Sequence, residues 1–266
     1  MSITAEQARR RQHHEDPALN RSLVRGVEIL RAFRPGADQL GNGEIAERTH
    51  LSRATVSRLT QTLVECGLLE HDRARRTYRL APPVLSFAHA MHAGSPVLSA
   101  VAPLMRALAE KLRINVGIAT ADRDEMVYLD SFRFNRKVAL RSVVAGQRVP
   151  MELTSLGRAY LAVVSSEERR TLLQHFRDRR PADWARLRDE LDAAKVSIDR
   201  NKYCSASWQP EVVAIASPLV LPERPIYILN VSVRTTTGIV ATEKQLCRPL
   251  LTLCAEARAA MLAADA

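Results

Sequence analysis

The stretch from residue 21 to residue 80 constrains the fold most, because its punctuation leaves few alternatives. In RSLVRGVEILRAFR, residues 21–34, apolar side chains at Leu23, Val24, Val27, Leu30 and Phe33 follow the spacing of one helix face. Pro35-Gly36 ends that helix. Asn42-Gly43 opens a short second helix over 44–49. A third is predicted from Ser52, a good N-cap, to about residue 65, with Gly67 as its stop. Two strand-like runs, 68–71 and 77–80, then flank the turn Asp72-Arg73-Ala74-Arg75-Arg76.

Helix, helix, turn, helix and β-ribbon is the order of a winged helix-turn-helix. Ala46 is small enough to let the second and third helices approach, and Leu51 points inward from the turn. Val56, Leu59 and Leu63 make the buried stripe of the third helix. Ser52 starts the opposite face, which shows Arg53, Thr55, Ser57, Arg58 and Gln61, side chains suited to base edges and phosphates. A solvated face on an ordinary helical hairpin accounts for the polarity. It accounts less well for the absence of any acid there before Glu65, and for Arg73, Arg75 and Arg76 in the ribbon.

Charge permits a nucleic-acid partner without locating it. Lys and Arg number 39 against 29 Asp and Glu, a net +10. Arg supplies 34 of the 39, which suits phosphate but also follows from a GC-rich genome. Residues 1–82 carry net +4 and the remainder +6, so the basicity is spread out. The length, 266 residues, allows one large domain or two smaller ones. No apolar run approaches the roughly 20 residues of a membrane helix, and the first residues lack a signal-peptide core. A cytoplasmic protein without membrane contact is expected. The four cysteines form no CxxC and imply no disulfide framework.

Residues 1–20, with an Arg run and HHED, read as a flexible arm, and 21–82 as the DNA-binding domain. Residues 83–97 read as a linker helix broken at Gly94-Ser95-Pro96. His89 and His92 on it lack an acidic or cysteine companion, so no metal site is expected. Residues 98–262 read as an α+β domain. Its helices are expected at 97–112, 154–163, 167–176, 183–199 and 242–262. Strands are expected at 116–120, 126–132, 138–144, 204–208, 212–219 and 226–233.

Catalysis finds little support. The chain has no GxSxG, P-loop, GxGxxG or HExxH, so neither an enzyme nor a cofactor is expected. Beyond His92 only His175 offers an imidazole. Ligand binding is easier to argue. Residues 150–157, PMELTSLG, lead from a strand region into a helix start, where free amides attract anions and Thr154 and Ser155 add hydroxyls. Plain N-capping explains the same residues without a ligand. Cys204, at a strand start among small polar residues, lines a pocket, senses redox state or is an inert buried thiol. Cys247 and Cys254 read as core.

Taken in order, these segments resemble the IclR (isocitrate lyase regulator) family of bacterial transcriptional regulators over residues 21–262. RSLVRGVEILRAF, EIAERTHLSRATVSRLTQTLVECGLLEHD and RTYRLAPPVLSFA are similar to that family's winged helix and linker. GQRVPMELTSLGRAYLA, PEVVAIASPLVL and ILNVSVR resemble its second domain. The resemblance implies an α+β protein with an N-terminal winged helix-turn-helix, a linker helix and a C-terminal GAF-like α/β effector-binding domain. It implies a homodimer or tetramer on a pseudo-palindromic operator in double-stranded DNA, acting as repressor or activator. The effector would be a small organic acid or an aromatic metabolite.

Carried across, the DNA readers are Arg21, Ser22, Ser52, Arg53, Thr55, Ser57, Arg58 and Gln61, with Arg73, Arg75 and Arg76 in the wing. The effector residues are Val138, Thr154, Ser155, Leu156, Cys204, Ala214 and Ser232. Five features depart from the family pattern. His50 stands where the helix-turn-helix usually has Gly, and Ala74-Arg75 replaces Asp-Gly in the wing. Glu152 stands where His is frequent and Cys204 where an acid is frequent, and Ala214 replaces a Cys of some members. The glyoxylate or pyruvate of other members therefore does not carry across. Two other readings compete: a metabolite-binding module or enzyme with a vestigial winged helix, and a winged helix used for protein contacts. The missing nucleophile and metal cluster weigh against the first. The Arg-bearing wing and acid-free face weigh against the second.

Overall fold

A computed structural model describes residues 19–133, 145–235 and 238–264. The chain forms two compact units that divide between Ala93 and Gly94.

In the first unit, α1 (Arg21–Ala32), α2 (Asn42–Thr49) and α3 (Arg53–Glu65) pack with a small antiparallel sheet. Its strands are β1 (Leu40–Gly41), β2 (Leu69–Asp72) and β3 (Thr77–Leu80), in the order β1-β3-β2. Asn20 starts α1, its side-chain oxygen accepting from the amides of Ser22 and Leu23 at 3.1 Å. The face that α1 buries matches its 3–4 spacing only in part: of the expected stripe, Phe33 is buried and Leu30 packs against the core. Gly26, Ile29, Ala32 and Phe33 are buried, whereas Leu23 is 67% and Val27 41% exposed. Apolar residues occupy two adjoining faces of this helix, and contact with α2 and α3 chooses the one bearing Ile29. The core is completed by Leu40, Ile45, Val56, Leu63, Leu69 and Tyr78, with Ala46, Leu51 and Leu59 half-buried against it.

Two left-handed residues other than glycine shape this unit. His50 closes α2 at φ 56°, ψ 27°, a position that glycine fills without strain. Histidine is among the few side chains that accept it. In the wing, Asp72 Oδ1 accepts from the amides of Ala74 and Arg75, both at 3.0 Å, and Arg76 takes φ 55°. Those amide bonds, the Arg75 one first, hold the Asp72 carboxyl below its ordinary range. The side chain of Asp72 thus shapes a turn that lacks glycine. Next comes α4 (Pro83–Ala93), which buries none of its residues and exposes Leu85, Phe87 and Met91.

The second unit is one antiparallel sheet between two helical layers. Its strands are β4 (Asn115–Asp122), β5 (Glu125–Phe132), β6 (Arg148–Pro150), β7 (Cys204–Gln209), β8 (Val212–Leu219) and β9 (Tyr227–Arg234). They run in the order β6-β5-β4-β9-β8-β7. The strand expected at 138–144 lies outside the described residues. On one face, α5 (Pro96–Leu112) and the closing helix α9 (Ile239–Ala263) bring Val101, Met105, Leu246 and Leu250 against Ile118, Ile215 and Leu229. On the other lie α6 (Ser155–Val163), α7 (Ser166–Arg179) and α8 (Trp184–Asn201). Their Leu161, Phe176, Leu187 and Leu191 pack with Ala119, Met126 and Ile228. A bulge interrupts β5, because Ala119 pairs with Tyr128 while Ile118 pairs with Asp130. The two faces follow from period-2 alternation on each strand.

A charged network ties the turn before α6 to the turn between β4 and β5. Glu152 is fully buried, and its Oε1 accepts from Arg179 and Arg180 at 2.8 Å. Arg179 also reaches Asp124 at 2.6 Å, and His175 Nε2 lies 3.2 Å from the same oxygen. Burial pushes the Asp124 carboxyl up, but the His175 hydrogen bond and the Arg179 charge outweigh it, leaving Asp124 well below the carboxylate range. A carboxylate held low in the folded state stabilises above its unfolded value near 4 and loses that contribution as pH falls. Acid titration of stability is therefore expected to fall less steeply below about pH 4 in Asp124→Asn than in the parent. Parallel curves would remove Asp124 from the acid response.

Candidate DNA-reading face and effector cavity

The first unit carries the side chains expected to read DNA on α3, in the wing and at the start of α1. Arg53, Arg58 and Gln61 are exposed on α3, with Thr55 and Ser57 half-exposed beside them. Ser52 caps the helix. Its Oγ accepts from the Thr55 amide at 3.3 Å and lies 2.9 Å from Thr55 Oγ1. These two hydroxyls are engaged with each other, which leaves Arg53, Arg58 and Gln61 as the long reaching groups. The burial of Thr60 anchors the opposite face. Its hydroxyl donates to Val56 O at 2.9 Å and lies 3.4 Å from Asn42 Oδ1 on α2. In the wing, Arg73, Arg75 and Arg76 are exposed, with Arg75 3.5 Å from Gln39 Oε1. Arg21 and Ser22 are exposed at the start of α1. A hollow of about 200 Å³ flanks the wing, but Glu70 and Asp72 in its lining are already engaged by Arg79 and the turn amides.

The second unit holds a cavity of about 50 Å³ at the start of α6, between that helix and the sheet. Thr154, Ser155, Leu156, Ala214 and Ser232 all line it. Thr154 is the N-cap, accepting from the Gly157 amide at 3.3 Å and donating to Pro150 O at 2.9 Å. Gly157 is required by the close approach of α6 to the preceding turn. A Cβ there would lie 2.0 Å from the Met151 carbonyl oxygen. Val138 lies outside the described residues.

Sequence reasoning missed Tyr128, Asn230 and Trp208, which also line the cavity. Asn230 Nδ2 donates to the Tyr128 hydroxyl at 3.2 Å. Burial pushes that phenol up to about 12, so it stays neutral. Gly117 makes the pair possible, since a Cβ there would sit 2.6 Å from the Tyr128 ring and 2.7 Å from Asn230 Oδ1. Strand alternation places Asn230 and Ser232 on one face of β9 and was the available signal. The polar lining is not self-satisfied. Ser155 Oγ and Asn230 Oδ1 are buried without a hydrogen-bond partner among the described residues.

Cys204 is not part of the cavity lining. It lies in the core beneath α6, 1% exposed, with Sγ 3.5 Å from Ser155 O. Burial pushes its thiol up to about 12, which removes the reactive thiolate at neutral pH. A thiol reagent at pH 8 is expected to label the exposed Cys66 quickly and Cys204 only after unfolding. Fast native labelling of Cys204 would overturn this placement.

Two family models account for most of the chain. The IclR helix-turn-helix domain matches residues 22–73. The bacterial transcriptional regulator IclR C-terminal domain matches residues 89–259. The chain belongs to the IclR family of DNA-binding transcriptional regulators. It is 31% identical over 68% of its length to the HTH-type transcriptional regulator TsaQ1/TsaQ2 of Comamonas testosteroni, spanning 66% of that relative. The crystal structure of an IclR family regulator from Brucella abortus superposes with TM-score 0.85 at 33% identity, over 92% of this chain and 94% of that one. An IclR homolog from Microbacterium hydrocarbonoxydans, complexed with 4-hydroxybenzoate, shares the fold with TM-score 0.66 at 19% identity, over 91% and 99% of the two chains. Among the described residues, no helix of this IclR-family chain is long and apolar enough to cross a membrane.

Proposed function

We propose that this protein is a ligand-responsive regulator whose operator affinity is set by a small organic or aromatic acid bound at the start of α6. The unpartnered, buried Ser155 hydroxyl carries the reading of the cavity. A buried polar group without a partner costs about 1–3 kcal/mol, which a ligand hydrogen bond recovers. Asn230 Oδ1 makes the same demand from the sheet side. Trp208 and Leu156 supply apolar wall for a ring, and a protein of the same fold holds 4-hydroxybenzoate. At about 50 Å³ the cavity is small for such a ligand, so binding opens it.

The paired winged helices of a homodimer or tetramer engage a pseudo-palindromic operator in double-stranded DNA, and the protein acts in the cytoplasm. The unburied α4, with Leu85, Phe87 and Met91 exposed, and Leu23 and Val27 on α1 supply apolar surface for a second copy. Arg53 and Arg58 read bases, while Arg73, Arg75, Arg76, Arg21 and Ser22 position the protein on phosphates. The effector favours one arrangement of the two reading helices over another and so shifts operator affinity.

Titration on the protein's own upstream intergenic DNA at two salt concentrations, against scrambled competitor, tests this. Binding that survives the competitor and changes with 4-hydroxybenzoate or a related acid supports the proposal. Binding that is steeply salt-dependent and indifferent to sequence would reduce the first unit to nonspecific phosphate attraction.

A further inference from the structure

The bulge in β5 sets which side of the sheet the charged residue after the strand falls on. Met126 and Tyr128 face the α6–α8 layer. Leu129 is the extra residue of the bulge, and both it and Phe132 lie with the α5–α9 core instead. Beyond the bulge the alternation is therefore reversed. Ser131, opposite Gly117, falls on the face of Tyr128, and the same alternation carried one residue past β5 puts Arg133 there. Without the bulge, Arg133 would point into the other core.

Arg133 is half-buried, and its Nε is buried with no hydrogen-bond partner among the described residues. Its positive charge opposes the burial that raises the Tyr128 phenol. Among the described residues the cavity lining contains no charged side chain. A carboxylate entering such a lining would be desolvated without a counter-charge, at a cost that excludes it. A guanidinium whose Nε has no partner among the described residues offers the planar two-pronged group that a carboxylate takes best.

We propose that Arg133 is the anionic anchor of the effector site, so that the effector is a carboxylate paired with Arg133 while Ser155 and Asn230 meet its uncharged polar groups. This rests on the reading of the cavity as the effector site. It assigns selection for charge to one side chain just outside the lining, and selection for shape to the lining itself.

Calorimetric titration with 4-hydroxybenzoate and with its uncharged amide, 4-hydroxybenzamide, tests the assignment. The proteins are the parent, Arg133→Gln, Arg133→Lys and the cavity-filling Ala214→Trp, each checked for a cooperative thermal transition. The acid is expected to bind the parent at least tenfold more tightly than the amide. Arg133→Gln removes that preference by weakening the acid alone, Arg133→Lys restores part of it, and Ala214→Trp removes both ligands. Equal affinity of Arg133→Gln and the parent for the acid, with binding still lost in Ala214→Trp, would overturn the anchor and leave the cavity standing. Acid binding untouched by Ala214→Trp would overturn the cavity reading and the anchor together. A parent that binds the amide as well as the acid, or binds neither, would refute the charge selection.

Discussion

Replacing Gly157 with Ala is expected to destabilise the second unit by about 3 kcal/mol or more, the upper end of overpacking costs. The added Cβ would lie 2.0, 2.3 and 2.4 Å from the carbonyl oxygen, Cα and carbonyl carbon of Met151. All three are backbone atoms of the turn that leads into α6, so no rotamer change relieves the overlap. The turn itself is clamped: Glu152 is buried against two arginines, and Thr154 bridges Pro150 and Gly157. The helix start must therefore shift away from the sheet, taking Ser155 and Leu156 with it. At roughly 2–4 °C per kcal/mol for a unit of this size, the melting temperature falls by about 6–12 °C. Effector binding is lost in the same variant. Gly26→Ala is the control, because a Cβ at Gly26 meets nothing within 4 Å and alanine favours helix. A Gly157→Ala protein as stable as the parent would show that α6 does not approach Met151 this closely.

Arg58→Ala is expected to lower specific operator affinity by about 1–3 kcal/mol, roughly 5- to 150-fold. Arg58 is exposed on the face of α3 opposite Val56 and Leu63, which the core holds in place. On the proposed reading its loss removes a base contact without disturbing the helix, since alanine is a strong helix former. The defect should be sequence-dependent, so nonspecific binding changes less. Arg75→Ala gives the contrasting pattern. Arg75 stands in the wing beside Asp72 and Gln39, and its loss should weaken all DNA alike and reduce the salt slope by about 1. Operator binding unchanged in Arg58→Ala would take that residue off the reading face. Competition titrations at two salt concentrations separate the two outcomes.

Local chemistry made much of this molecule legible in the chain. The helix stops at Pro35-Gly36 and Gly67, the Ser52 cap and the polar face of α3 need only short-range rules. His50 adopts the left-handed conformation that its place between two helices demands. Likewise Thr154, Ser155 and Leu156 announced a helix start, whereas Ala214 and Ser232 came only from the family resemblance. The wing was harder to read, because its shape depends on a side-chain acceptor, Asp72, rather than on a glycine.

Long-range arrangement was not legible. Which face of α1 is buried depends on α2 and α3, since Ile29 and Leu30 are equally apolar neighbours. The chain left Cys204 open as a pocket residue, a redox sensor or an inert buried thiol, and its burial beneath α6 distinguishes these. Tyr128, Gly117 and Asn230 are separated by up to 113 positions in the chain and meet only because β5, β4 and β9 are neighbours in one sheet. The side of the sheet that Arg133 faces depends on the bulge at Leu129, a single unpaired residue that reverses the alternation. The sequence by itself determined the main helices, the longer strands and the polar face of α3, because those follow from contacts within a few residues. Only the tertiary structure decided which polar groups share the cavity and which are left without a partner, because pairing across strands and helices selects among faces that are locally equivalent.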